Sequence, residues 1–336
     1  MKNYRVRPLK IKRSNEVHPI EYKKQFVNNL KDKLIPNHGI SERIRALPII
    51  HATTKKSSME NYKSNELDDY KIGIEIGRGL YSVVKSAIQK STGKRVAIKI
   101  YKKSKLTSLQ RRKCLEQEIK VMKLINHPNI VKLYEVIETV KEIYIIMEFV
   151  KGRSLLSYIK SQPGKKLSER ESAWILHQVL EGIKYCHEYD IAHRDIKMEN
   201  IILDESLNAK IIDFGFSGLG VKDKKLKAFC GTPSYMPPEI ITKKEYYGPA
   251  VDMWSIGILL YVMLCGYFPF RGGNEKELFR EITIGICSVP LCVSEAGKRL
   301  IVRLLRYDPD RRLTAEEAIK DPFIINNLTN AYHTHS

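Results

Sequence analysis

The sequence predicts an α+β fold in which short strands come first and helices follow. Between residues 70 and 148, short apolar runs bounded by polar turns are typical of strands, with one helical stretch among them. After residue 150, apolar residues recur at helical spacing. A chain of 336 residues can bury a sizeable core, either as one domain of two lobes or as two small domains.

The first two predicted strands enclose a glycine-rich turn. Residues 71–76 form the first strand, Gly77 and Gly79 follow, and the second strand continues through Ser82 and Val84. Glycines at these positions let the backbone bend with positive φ and let its N–H groups approach a phosphate without a Cβ in the way. Taken alone, a Gly-x-Gly turn indicates a plain hairpin more often than a phosphate site. Further strands are predicted over residues 94–101, 130–136 and 143–147.

Capping residues and apolar spacing define the predicted helices. Ser168-x-x-Glu171 and Thr314-x-x-Glu317 are capping boxes, in which a hydroxyl and a carboxylate satisfy each other's backbone N–H groups. Helices are therefore predicted over residues 107–126, from Ser168 to about Tyr189, over 252–265, near 275–284 and 294–306, and from Thr314 to about Asp321.

Two stretches of the chain concentrate residues that suit metal-assisted chemistry. Residues 191–200 read IAHRDIKMEN and residues 211–215 read IIDFG, with short apolar runs between them that are typical of a hairpin. Such a hairpin would bring Asp195, Asn200 and Asp213 close together. Carboxylate and amide oxygens suit Mg²⁺, which keeps phosphates in its shell. A carboxylate that does not coordinate the metal could orient a hydroxyl group of a second reactant.

This set of motifs resembles the catalytic core of the protein kinases. The glycine turn, Val96-Ala97-Ile98-Lys99, HPNIV, His193-Arg194-Asp195 and Asp213-Phe214-Gly215 follow each other in the family's order, over about residues 70–323. HPNIVKLYEV, GTPSY and VDMWSIGILLYVMLCG are similar to the calcium/calmodulin-dependent and AMP-activated kinases. The resemblance implies a bilobal kinase fold: a mostly β lobe with helix C over about 70–148, a mostly α lobe over about 151–323, and a short tail over 324–336.

The resemblance also implies an activity and a set of roles. The reaction would be transfer of the γ-phosphoryl group of ATP to a Ser or Thr hydroxyl of a protein substrate, with Mg²⁺ as cofactor. Asp195 would orient the hydroxyl and accept its proton, and Lys197 would contact the γ-phosphate. Asn200 and Asp213 would hold Mg²⁺, and Lys99, fixed by Glu118, would hold the α- and β-phosphates. The implied ATP-binding residues are Ile76, Gly77, Gly79, Ser82, Val84, Ala97, Lys99, Glu118, Met147, Glu148, Val150 and Ile202.

Further contacts are implied around the catalytic residues. Thr232 would touch Asp195 and Lys197, and Glu239 would pair with Arg312. Asp252 is either an exposed N-cap or a buried anchor for the catalytic loop backbone, and the resemblance favours the anchor.

The chain departs from the family pattern at several positions. Ser82 replaces the third glycine of the loop, and Pro237 replaces the usual Ala before Pro-Glu. Ser154 stands where basophilic relatives carry a glutamate, so we expect weak selection for arginine upstream of the target. Ala228 lies in the polar loop from Ser217 to Phe229, at the position where close relatives carry a phosphorylated threonine. We therefore expect activity without a phosphate in this loop.

Composition constrains the remaining alternatives. The net charge of +20 admits a nucleic-acid binder, but no nucleic-acid motif stands out. Residues 1–69 carry 15 Lys and Arg against 8 Asp and Glu and show no sustained period, which predicts a disordered basic extension. That extension would be either a regulatory arm with a partner or a solvated tail. No apolar run predicts a membrane span, and six cysteines without Cys-x-x-Cys spacing predict reduced thiols in the cytoplasm, with the nucleus as second location. A pseudokinase or scaffold that binds partners without catalysis is the alternative function.

Overall fold

The computed structural model of the protein describes residues 65–79, 81–220 and 224–329. Most of the predicted N-terminal extension, residues 1–64, lies outside the described residues, as do residues 330–336 of the predicted tail.

An antiparallel five-stranded sheet forms the first lobe. Its strands are β1 (Tyr70–Arg78), β2 (Ser82–Gln89), β3 (Arg95–Lys102), β4 (Leu133–Glu138) and β5 (Glu142–Glu148), in the order β1-β2-β3-β5-β4. A short helix, α1 (Asn65–Asp68), precedes β1. Alternating apolar residues place Val96, Ile98, Tyr144 and Ile146 in a core on one side of this sheet.

One long helix, α2 (Leu109–Leu124), packs beside the sheet. Its N-cap is Ser108, whose hydroxyl accepts from the backbone N–H of Arg111. Leu115, Glu118 and Met122 are buried at spacings of three and four, so one face of the helix looks inward. Glu118 is therefore the glutamate that the helix turns towards the sheet.

Helices dominate the second lobe. They are α3 (Leu155–Ser161), α4 (Glu169–Glu188), α5 (Pro238–Ile241), α6 (Gly248–Cys265), α7 (Glu275–Ile284), α8 (Glu295–Leu304), α9 (Ala315–Ile319) and α10 (Pro322–Thr329). Both predicted capping boxes are confirmed, at Ser168 with Glu171 and at Thr314 with Glu317. Among the described residues α6 alone is long and apolar enough to cross a membrane, but 89% of it is buried, as in the core helix of a folded lobe.

The catalytic stretches form the small hairpin that the sequence predicts. β8 (Ile201–Asp204) pairs with β9 (Ala209–Ile211), and β6 (Gly152–Ser154) adds to the other edge of β8. A second pair joins β7 (Ile191–Ala192) to β10 (Gly218–Leu219). The α+β architecture of a β lobe followed by a helical lobe is therefore confirmed.

Two expectations about element bounds are corrected. The strand predicted from residue 130 begins at Leu133, because Ile130 forms an isolated bridge with Ile211 of the hairpin instead. The helix predicted to end near Asp321 stops at Ile319, and Pro322 opens a further helix, with Asp321 accepting from the backbone N–H of Phe323 at 3.0 Å. Proline fits the first turn of a helix because the N–H it lacks has no helical partner there.

Candidate active site

Asp195 is at the centre of a buried hydrogen-bonded cluster. The hydroxyl of Thr232 donates to Asp195 Oδ1 at 2.8 Å, and Lys197 Nζ lies 2.7 Å from Asp195 Oδ2 and 3.0 Å from Thr232 Oγ1. Asn200 Nδ2 donates to the backbone carbonyl of Asp195 at 2.9 Å and to Oδ2 at 3.2 Å. The predicted contacts of Thr232 with Asp195 and Lys197 are thus confirmed. Burial opposes the charge of Lys197, but Asp195 outweighs it and raises the lysine's pKa.

Lys99 joins the two lobes across the cleft. Its ammonium group lies 2.5 Å from Glu118 Oε1 on α2 and 3.0 Å from Asp213 Oδ1 after the hairpin. Burial alone would lower its pKa, but the carboxylates of Asp213 and Glu118 raise it well above its ordinary value. The lysine therefore stays cationic. Glu116, two residues from Glu118, is exposed and takes no part.

Asp252 is the buried anchor of the catalytic loop. Its carboxylate is fully buried near the start of α6, where it accepts from the backbone N–H of His193 at 2.9 Å and of Arg194 at 2.7 Å. It also lies 2.9 Å from His187 Nε2. The alternative of an exposed N-cap is excluded, since the cap position of α6 is Tyr247.

The backbone is strained at two residues of the site. Arg194 has a φ of 63° and Asp213 has a φ of 65°, values that residues other than glycine rarely adopt. Phe214 next to Asp213 is fully buried, with its ring centroid 4.8 Å from that of His193. His193 Nε2 lies 3.1 Å from the backbone oxygen of Ile212. These contacts hold two otherwise unfavourable conformations in place.

Strand pairing brings several of the predicted ATP-binding residues of the β lobe side by side. Strand pairing places Gly77 opposite Val84, Val84 opposite Lys99, and Ala97 opposite Met147. Ser82, Ala97 and Met147 are buried, whereas Val84, Glu148, Val150 and Ile202 are half-buried and Ile76 is exposed. Ile202 belongs to β8 of the second lobe.

Gly77 and Gly79 do not use the positive φ that glycine allows. Register shifts in the β1–β2 pairing bend the strand before the turn, so the left-handed region is not needed. A Cβ added at position 79 would lie 2.9 Å from Ser82 Oγ, so a larger residue there would displace the Ser82 hydroxyl.

Two residues of the site were missed by sequence reasoning. Tyr101 donates to Glu118 Oε2 at 2.7 Å, and its only signal is its place two residues after Lys99, on the same face of β3. Lys210 lies 2.9 Å from Glu148 Oε2, which ties the hairpin to the predicted hinge. No local sequence pattern marks Lys210.

A further buried ion pair joins α5 to the residues that precede α9. Arg312 binds Glu239 through two hydrogen bonds of 2.6 and 2.7 Å, with both side chains buried. The guanidinium also donates to the backbone oxygen of Ala250 at 3.0 Å and lies over the Trp254 ring, 5.0 Å from its centroid. The predicted pairing of Glu239 with Arg312 is confirmed.

Comparison with known proteins agrees with this geometry. The model of the protein kinase domain matches residues 70–324. The chain is 40% identical over 262 residues to the SNF1-related protein kinase catalytic subunit alpha KIN12 of Arabidopsis thaliana, which is 78% of this chain and 52% of that protein. It is 40% identical over 269 residues to the probable serine/threonine-protein kinase MARK-A of Dictyostelium discoideum, 80% of this chain and 25% of that one.

A third relative is the serine/threonine protein kinase OSK3 of Oryza sativa subsp. japonica, 41% identical over 254 residues, 76% of this chain and 50% of that protein. The chain thus spans about half the length, or less, of these curated relatives. Their names confirm the resemblance to the group of calcium/calmodulin-dependent and AMP-activated kinases. The chain belongs to the protein kinase family.

Proposed function

We propose that the protein is a serine/threonine kinase that transfers the γ-phosphoryl group of ATP to Ser or Thr hydroxyls of protein substrates. The observation that carries this proposal is a pair of charge clusters: Asp195 with Lys197 and Thr232, and Lys99 with Glu118 of the first lobe and Asp213 of the second. A scaffold has no need of two such clusters, because taking their charges out of water is costly.

The residues around Asp195 suit the acceptance of a proton. Asp195 Oδ1 is held by the hydroxyl of Thr232 and Oδ2 by Lys197, so the carboxylate has one fixed orientation. A substrate hydroxyl placed against it would be oriented, and its proton would pass to Asp195 as phosphoryl transfer proceeds. Lys197 lies beside the same carboxylate and is placed to meet negative charge on the transferred group.

The opposite cluster suits the phosphates of ATP. Lys99 is cationic and held by two carboxylates, so it is preorganised to bind the α- and β-phosphates. The adenine would lie between Val84, Ala97 and Ile202, with the backbone at Glu148 and Val150 as its polar partner.

The residues present fit Mg²⁺. The amide nitrogen of Asn200 is engaged by Asp195, so its oxygen is the atom turned to a cation, and Asp213 supplies a carboxylate. No group of three or more His, Cys, Asp or Glu side chains among the described residues is arranged as a metal cage. A Mg²⁺ ion held by Asn200 and Asp213 would complete its shell with phosphates and water. When bound, Mg²⁺ would neutralise charge on the phosphates.

Location and regulation complete the proposal. The six cysteines, all within the described part of the chain, are free thiols, which supports a reducing compartment such as the cytoplasm or nucleus. The basic residues of the extension support a regulatory partner that is acidic.

The test uses Asp195→Asn in the full chain, with Lys99→Met beside it. Asp195→Asn should keep ATP binding and the melting temperature, and it should lose phosphoryl transfer by roughly 100-fold or more because no base orients the hydroxyl. Lys99→Met should lose transfer through weaker phosphate positioning. Transfer at a near wild-type rate in Asp195→Asn would contradict the proposal.

A further inference from the structure

The residues from Lys224 to Gly231, here called the activation segment, are bound to the residues that precede α6. Leu226 and Tyr246 form an antiparallel bridge, with the N–H of Leu226 donating to the Tyr246 oxygen at 2.8 Å and the reverse bond at 3.0 Å. Lys227 adds an ion pair with Glu245 at 2.7 Å, but both side chains are about half exposed, so its contribution to stability is small. The link is therefore made mainly by backbone and buried groups.

The phenol of Tyr246 extends this link into the buried interior. Only 2% of Tyr246 is exposed, and its hydroxyl donates to the backbone oxygen of Ala228 at 2.7 Å. The phenolic oxygen of Tyr246 also lies 3.7 Å from Cys230 Sγ. Burial raises the pKa of this phenol, so it remains a neutral donor. The acceptor at residue 228 is a main-chain atom, so the bond does not depend on the side chain there.

Arg194, the other group that faces this segment, is engaged by main-chain atoms and by the side chain of Tyr246. Its Nε donates to the oxygen of Phe216 at 2.7 Å and its Nη2 to the oxygen of Ser217 at 3.2 Å. Burial opposes the charge of Arg194, but the neighbouring Cys230 and the hydrogen bond with Tyr246 outweigh burial and raise the pKa of the guanidinium. These contacts give Arg194 partners without any phosphate.

The segment from Ala228 to Thr232 ends in direct contact with Asp195. Gly231 has φ of 115°, and a Cβ added there would lie 3.3 Å from the backbone oxygen of Arg194, so the chain runs against the catalytic loop. Thr232 then makes its bonds to Asp195 and Lys197. Three residues separate Ala228, whose carbonyl accepts from Tyr246, from Thr232, whose hydroxyl donates to Asp195.

We propose that Tyr246 is a positioning residue that fixes the activation segment through the Ala228 carbonyl and so keeps Thr232 at Asp195 without a phosphate. This inference rests on the proposed kinase function. Its physical basis is that a loop ordered by a buried hydrogen bond loses little entropy when the protein substrate binds. Tyr246 itself touches neither substrate nor nucleotide.

The test compares Tyr246→Phe with Tyr247→Phe in the full chain, made in bacteria and treated with phosphatase. Tyr246→Phe removes only the hydroxyl, and Tyr247 is a matched control because it is half-buried and adjacent. We expect kcat to fall about tenfold in Tyr246→Phe, with the KM for ATP within twofold of wild type. Tyr247→Phe should leave both constants unchanged. A fall in kcat with equal loss of ATP affinity would indicate general loosening and overturn the proposal.

Hydrogen exchange separates this inference from the proposed function. Backbone amides of residues 224–232 should exchange faster in Tyr246→Phe than in either wild type or Tyr247→Phe, whether or not the protein transfers phosphate. Exchange and kcat both equal to wild type would overturn the role of Tyr246. A wild-type protein that transfers no phosphate, with faster exchange in the variant, would overturn the proposed function and leave the link intact.

Discussion

Asp252→Asn should weaken the catalytic loop although it changes the size of the side chain very little. The two carboxylate oxygens accept from two backbone N–H groups, those of His193 and Arg194, in a fully buried place. An asparagine has one acceptor, so whichever way its amide rotates, one backbone N–H faces an NH₂ group. An unmet buried N–H costs about 1–3 kcal/mol, and loss of the charge-assisted bonds raises the total to roughly 2–5 kcal/mol.

The assay is thermal unfolding together with steady-state kinetics. For a domain of this size the cost corresponds to a melting temperature about 5–15 °C lower. We expect kcat to fall at least roughly tenfold, because His193 and Arg194 lead directly into Asp195. Asp308→Asn is the control, since Asp308 is exposed and accepts one backbone bond, from Asp310 at 3.1 Å. Asp252→Asn with unchanged melting and kcat would refute the anchoring role.

Three further outcomes are expected. Glu239→Gln should lower the free energy of unfolding by about 3–5 kcal/mol, because Arg312 would be left buried without its carboxylate; a loss below about 1 kcal/mol in urea titration would contradict this. A peptide screen should show weak selection for arginine at the third residue before the target. The hydroxyl of Ser154 caps α3, and the carboxylate left to attract a basic residue is that of exposed Glu199. A dominant arginine at that position would be inconsistent with this expectation. Phosphatase treatment should leave the rate nearly unchanged because Ala228 has no hydroxyl; loss of most activity, mapped to a phosphate between residues 217 and 234, would defeat that expectation.

Local chemistry explains what the sequence could predict. The capping boxes, the hairpin after Asn200 and the inward face of α2 each depend on residues close together in the chain. The pairing of Lys99 with Glu118 and of Glu239 with Arg312 spans 19 and 73 residues, and those pairs were reached only through the resemblance to a family.

What could not be predicted depends on tertiary packing. Tyr246 contacts Ala228 only because the chain folds back between them, and no local sequence pattern indicates the hydrogen-bond partner of a tyrosine. The conformation of Gly77 depends on bulges in a strand pairing that alternation alone does not specify. Helix α3 was missed because its seven residues are too few to show a helical period.

The most direct measurement of the central claim is phosphoamino-acid analysis with the full wild-type chain. The protein is incubated with γ-labelled ATP, Mg²⁺ and a mixture of peptides that carry Ser, Thr or Tyr as the only hydroxyl. Because Lys197 and Thr232 both contact Asp195, we expect label on Ser and Thr and none above background on Tyr. ATP binding without any transfer, or label confined to Tyr, would contradict the account.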